Sequence, residues 1–271
     1  MPPFWIRIGT ERAGLARCHR TAKWNSMENK RNNCIILLAE VPEPGKTNCE
    51  LKTSLGEERA LHVSGDLLKN SYALAKNFKD SILLISYEKT SAHPDLTWLD
   101  PEDPGFLETK KKTAAEQLTD AFTLAFNAGA KKALFLNHLS PVVKTEWLSQ
   151  AFDNAGERTI SIGRNQDGSF YLLALTKNNL KTISGFSPNA PNTADELSEK
   201  AKKNKLAVFI TPETFAVKNE ETLRTWLETR TQETPLFSTI HPALEQNPAL
   251  KHTKIHSGKN RRGTPQEESG K

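Results

Sequence analysis

The sequence has no apolar run long enough to cross a membrane as a helix. Its longest runs, Cys34–Ala39 and Phe170–Leu175, fall far short of the ~20 residues such a helix needs. Cysteine is scarce: Cys18, Cys34 and Cys49 are an odd number with no C-x-x-C pair. This excludes a disulfide framework and a cysteine-built zinc site, and it fits a reducing cytosol. The first residues lack the continuous apolar stretch of ~7–15 residues that a secretory signal requires. No internal repeat is visible. What is present is a chain of 271 residues, 37 % apolar and 25 % charged, a globular composition that can bury a sizeable core.

The formal charge of +5 invites a nucleic-acid reading, and its distribution argues against one. Residues 1–33 hold seven Lys/Arg against two Glu, and residues 247–271 hold six against two. The body between them is therefore mildly acidic. A phosphate-binding surface needs its cations clustered on the fold itself, so nucleic acid is not the expected partner. Residues 1–33 show no clear period and read as a disordered or mis-assigned N-terminal extension. Met27 is the only methionine after Met1, and the native start is expected there. Residues 236–271 read as a flexible, basic C-terminal tail.

Between these ends lies one domain, residues 34–235, in which short apolar runs alternate with amphipathic segments. Strands are expected at Cys34–Ala39, Ser81–Ser86, Lys132–Asn137, Arg158–Gly163, Ser169–Leu175 and Leu206–Ile210. Helices are expected at Glu57–Phe78, Ala114–Ala128, Lys144–Asn154, Ala194–Lys203 and Asn219–Arg230. Such alternation implies a three-layer α/β/α fold with a mostly parallel sheet covered on both faces. Ligands of such sheets bind beyond the carboxyl ends of the strands, so the informative residues are those just after strands.

The first strand runs into Ala39-Glu40-Val41-Pro42-Glu43-Pro44-Gly45-Lys46-Thr47. Gly45-Lys46-Thr47 resembles the end of a phosphate-binding P-loop, but Glu40 stands where that pattern needs glycine. Pro42 and Pro44 also remove backbone donors from a loop that would wrap phosphates with N–H groups. A P-loop-like kinase is therefore a remote reading.

A different resemblance fits better. Ala39, Pro42, Gly45 and Leu51 match the opening F-A-K-x-P-x-x-G-x-V-K-T-R-L of small bacterial transferases with the GT-A, nucleotide-diphospho-sugar transferase fold. The match continues in order. Ala115-Glu116-Gln117-Leu118 with Ala121-Phe122, Ala125-Phe126 and Gly129 follows the pattern G-E-R-M-x-x-A-F-x-x-A-F-x-x-G. Asn137-His138-Leu139-Ser140-Pro141 stands for G-S-D-C-P, Asp167-Gly168-Ser169-Phe170-Tyr171-Leu172 for D-G-G-Y-Y-L, and Ala216-Val217-Lys218 opens a match to D-V-D-T-x-E-D-L. Together these cover about residues 34–230. The chain thus resembles the rSAM/selenodomain-associated glycosyltransferases, which are similar to molybdopterin and 2-phospholactate nucleotidyltransferases.

The resemblance implies a nucleotide sugar or NTP as ligand, held by first-loop cations and by a divalent metal on carboxylates. Here the packing positions Phe122, Phe126, Phe152, Tyr171 and Leu172 are kept and the charges are not. Glu40 replaces a lysine, Asn48-Cys49-Glu50 replace K-T-R, Gln117 an arginine, Leu139 an aspartate, and Ala216 and Lys218 two aspartates. Each charge ~5 Å from a phosphate is worth about 3 kcal/mol at an effective dielectric of ~20, before screening. The expected function is that of a glycosyltransferase- or nucleotidyltransferase-like protein, catalytically impaired or inactive, with an active but diverged transferase as the alternative. Candidate nucleotide-binding residues are Gly45, Lys46, Asn137 and His138, and Asp167 is the candidate metal ligand. Mg²⁺ or Mn²⁺ is implied only where activity is retained. His138 with Asp167 is the pair expected to carry any remaining metal binding. The protein partner, acceptor and substrate are not specified by the sequence.

Overall fold

The computed structural model describes residues 32–233 except 45–48, 91–94, 102–105 and 110–111. The readings of the terminal segments, and Gly45 and Lys46, lie outside these described residues. The strands are β1 (Asn33–Ala39), β2 (Ile82–Glu88), β3 (Phe106–Thr109), β4 (Lys132–Leu136), β5 (Thr159–Asn165), β6 (Phe170–Thr176) and β7 (Ala207–Thr214). The helices are α1 (Cys49–Leu55), α2 (Glu57–Asn77), α3 (Ala114–Asn127), α4 (Thr145–Asn154), α5 (Thr193–Lys203) and α6 (Glu220–Glu233), with a 3-10 segment at Lys177–Ile183.

The strands form one seven-stranded sheet in the order β3-β2-β1-β4-β6-β5-β7. Four neighbour pairs are parallel, and only β6 runs against the rest, antiparallel to β4 and β5. The expected three-layer, mostly parallel architecture is therefore what is found. Cys34, Ile35, Ile36 and Leu37 of β1 are fully buried. A central strand covered on both faces must be apolar on both, which is why this stretch reads as a continuous run instead of an alternation.

One face of the sheet packs against α3, α5 and the 3-10 segment. There Leu118, Phe122 and Phe126 of α3 meet Ile36, Leu38 and Phe135. The other face carries α2 and α4, where Leu148, Ala151 and Phe152 meet Ile35, Leu134 and Leu136. The four-residue spacing of Leu118, Phe122 and Phe126 puts these side chains on one stripe of α3. The start of α3 is fixed by a capping box. The Thr113 hydroxyl accepts from the Glu116 amide, and the Glu116 carboxylate accepts from the Thr113 amide.

Two compact units divide between Trp226 and Leu227. The first holds the sheet and everything considered below. The second is described only as far as residue 233, the final turns of α6. No helix among the described residues is long and apolar enough to cross a membrane.

Candidate functional site

The parallel strands deliver their carboxyl ends to one edge of the sheet, and the residues singled out by the sequence collect there. β1 ends into Glu40, β4 into Asn137 and His138, and β5 into the turn Gln166–Ser169 that leads back along β6. The connection after β7 passes the same edge, because the Val217 amide donates to the Leu139 carbonyl at 2.7 Å. Leu139 and Ala216 are buried apolar residues.

Asn137 is almost wholly buried, and its side chain holds the loops together. Its Oδ1 accepts from the Leu139 amide at 3.1 Å, and its Nδ2 donates to Asn189 Oδ1 at 2.7 Å. Asn189 in turn donates to the Glu40 carboxylate at 3.2 Å. A parallel chain runs from Ser140, which donates to Asn165, through Asn165 to Ser169 and from Ser169 to Asp167. Lys218 closes the circuit. Its ammonium donates to Asp167 Oδ2 at 2.5 Å and to the Asn189 carbonyl at 2.8 Å.

Asp167 therefore has two jobs. Its Oδ1 accepts from the Ser169 amide at 3.0 Å and from the Ser169 hydroxyl at 2.6 Å, a side-chain turn that shapes the strand connection. Gly168 supports it with a φ of 78°, and a Cβ there would lie 2.7 Å from the Asn192 amide nitrogen. The second oxygen faces Lys218. Burial pushes the Asp167 carboxyl up, but the hydrogen bonds from Lys218 and Ser169 outweigh it and hold it below the usual carboxylate range.

His138 lies elsewhere on the edge, in a cleft of about 160 Å³ lined by Glu40, Glu43, Glu88, Ser64, Gln117 and Leu139, among others. It is 4 % exposed. Burial holds its imidazole below the ordinary pKa, against the upward pull of the Glu40 carboxylate and of a hydrogen bond to the Leu38 backbone. None of the cleft's described lining residues is Lys or Arg. His138 and Asp167 are drawn into different contacts, the first beside Glu40 and the second against Lys218. Among the described residues, no group of three His, Cys, Asp or Glu could hold a metal ion. A divalent cation needs several hard oxygen ligands, and the single carboxylate of Asp167 is already paired. These residues do not fit such an ion.

The sequence pointed to Glu40, Asn137, His138, Asp167 and Lys218 one at a time. It missed Asn165 and Asn189, which join them. The available signal was the run of short amide and hydroxyl residues just past the strands, where backbone groups leaving the sheet need partners.

A protein of Desulfovibrio desulfuricans G20 classed with the nucleotide-diphospho-sugar transferases is similar at 22 % identity, over 81 % of this chain and 96 % of that one, with a TM-score of 0.69. The fold is that of the nucleotide-diphospho-sugar transferases. A nucleotidyl transferase of Methanothermobacter thermautotrophicus is similar over 74 % of this chain and 99 % of its own, at 11 % identity and a TM-score of 0.54. The 4-diphosphocytidyl-2C-methyl-D-erythritol synthase of Anaerococcus prevotii DSM 20548 covers 77 % of this chain and 99 % of its own, at 11 % identity and a TM-score of 0.51. Residues 73–188 match the model of the family described as "Uncharacterized protein conserved in bacteria (DUF2064)". No curated protein matches the chain.

Proposed function

We propose that this protein is a cytoplasmic transferase-like domain of the rSAM/selenodomain-associated type that has lost metal-nucleotide chemistry and acts as a binding module. One observation carries the reading: the Lys218 ammonium sits on Asp167, the carboxylate the sequence marks as a metal ligand. A cation fixed to the chain replaces one that would have to be recruited. The surroundings point the same way. A diphosphate entering beside β1 would face Glu40, Glu43 and Glu88 and no described Lys or Arg of the cleft wall, where negative charge on a leaving phosphate needs positive partners. Asn137 spends its amide on loop contacts, and the cytoplasmic setting rests on the odd, sparse cysteines.

If a nucleotide is held after all, Gly45, Lys46, Asn137 and His138 are the residues to contact it and Asp167 the one to contact a metal. Thermal-shift titration with UDP-, GDP- and CDP-sugars and CTP, each with Mg²⁺ or Mn²⁺, separates the two cases. The expected result is no metal-dependent stabilisation. A saturable, metal-dependent rise in melting temperature at micromolar nucleotide restores an active, diverged transferase.

A further inference from the structure

An edge strand presents unpaired backbone groups to any other strand, and folds blunt such edges with short strands, charges or bulges. β3 closes one edge of this sheet with 4 residues, and β7 closes the other with 8. β7 pairs with β5 on one side, and among the described residues no strand pairs with its other side. Its first half, Ala207-Val208-Phe209-Ile210, carries no charge. Ile210 is 53 % exposed, the most exposed large apolar side chain among the described residues. Val208 and Ile210, two positions apart, share the face covered by α5. They line a groove of about 320 Å³ there with Ile162, Ala194 and Ser198.

This edge is complementary to itself about one point. Pro212 has no N–H to give a ladder, so pairing belongs to the stretch Ala207–Thr211, whose midpoint is Phe209. A copy laid antiparallel about a two-fold axis there sets Val208 against the partner's Ile210 and Phe209 against the partner's Phe209. Directly opposed side chains share a face, so the β-branched pair lies on the α5 side of both copies. The same register brings Lys205, exposed in the turn out of α5, beside the partner's Glu213, and Glu213 is exposed too. A two-fold centred one residue to either side puts Lys205 opposite Thr211 or Phe215 instead. The helix above follows the same pattern. α5 is acidic in its first turn (Asp195, Glu196) and basic in its last (Lys200, Lys202, Lys203). Two copies running antiparallel across the axis set the acidic end of one toward the basic end of the other.

We propose that the chain forms a two-fold dimer by antiparallel pairing of β7 with the β7 of a second copy about Phe209, which joins the two sheets into one. The occupant is a second copy and not a foreign strand, because the edge itself supplies both halves of each charge pair and of the apolar pair.

Sedimentation equilibrium of the full chain over a range of concentrations is the test. The expected mass is twice the 30.3 kDa of the chain, falling on dilution. Ile210→Lys, at an exposed position, weakens the dimer by at least about tenfold, because it places two ammonium groups in the apolar contact. Leu124→Lys, at an exposed apolar position on α3, leaves the dimer unchanged. Lys205→Glu and Glu213→Lys each weaken it by about threefold or more, since the dimer contains the pair twice. The double variant restores it. A strict monomer overturns the proposal and leaves the edge to another segment of the chain or to a foreign strand. A dimer indifferent to Ile210→Lys, one weakened equally by Leu124→Lys, or one that the double charge exchange fails to restore also overturns it. None of these outcomes bears on nucleotide binding.

Discussion

Replacing Lys218 by methionine keeps most of the aliphatic stem and deletes the ammonium, so it isolates the charge that ties the loop after β7 to the β5–β6 turn. Two contacts are lost, to Asp167 at 2.5 Å and to the Asn189 carbonyl at 2.8 Å. Charge-assisted hydrogen bonds contribute roughly 1.5–3 kcal/mol in favourable settings. The side chains of Lys218 and Asp167 are 24 % and 38 % exposed, so water screens much of that. The net cost is about 1–2 kcal/mol. For a domain of this size each kcal/mol moves the melting temperature by roughly 2–4 °C, giving a fall of about 2–8 °C.

The pH dependence gives a second readout. The Asp167 carboxyl is held below its unfolded value by Lys218 and Ser169, against burial. Its contribution is therefore present above the unfolded pKa of about 3.9 and is lost as pH falls through the lower folded value. The gap between wild type and Lys218→Met, followed by circular dichroism during heating, is full at pH 7 and narrows below about pH 4. An unchanged melting temperature at pH 7, or a gap that stays constant into acid, refutes the claim that this pair is a stabilising internal cation site.

Two further outcomes test the fold. Gly163→Ala places a methyl group into the Tyr171 ring and 2.8 Å from Thr211 Oγ1, so overpacking lowers stability by about 1–3 kcal/mol in urea denaturation. In a Cys18→Ser, Cys49→Ser protein, the remaining Cys34 thiol, pushed up to about 12 by burial, does not react with a thiol reagent at pH 8 until the chain unfolds.

Most of the sheet was legible in the sequence because its central strands are buried on both faces and stand out as apolar runs. Cys34–Ala39 is expected and Asn33–Ala39 is found. The helices of the two outer layers were legible from their stripes, as Leu118, Phe122 and Phe126 show. Phe106–Thr109 was missed: a four-residue edge strand with polar residues in its second half has no usable period. Cys49–Leu55 was missed as well, since about two turns after a proline-rich loop give too short a pattern. The reversal of β6 against β5 follows from the four residues Gln166–Ser169 that join them, too few for a parallel crossover, whereas the pairing of β6 with β4 on its other side had no local signal. At the site, Glu40, Leu139 and Ala216, where the resemblance implies a lysine and two aspartates, could be read directly from the sequence. That Lys218 would turn toward Asp167, 51 positions away in sequence, depends on the packing of two loops, and no local pattern encodes it.

On the proposed reading the Lys218 ammonium on Asp167 stands in for a recruited cation, and the neighbouring cleft, whose described wall carries no Lys or Arg, does not take a phosphate ligand. Isothermal titration calorimetry of the wild-type chain with UDP-glucose in the presence of Mn²⁺ tests it most directly. The predicted trace shows no saturable heat. Micromolar binding that vanishes when the metal is chelated contradicts it.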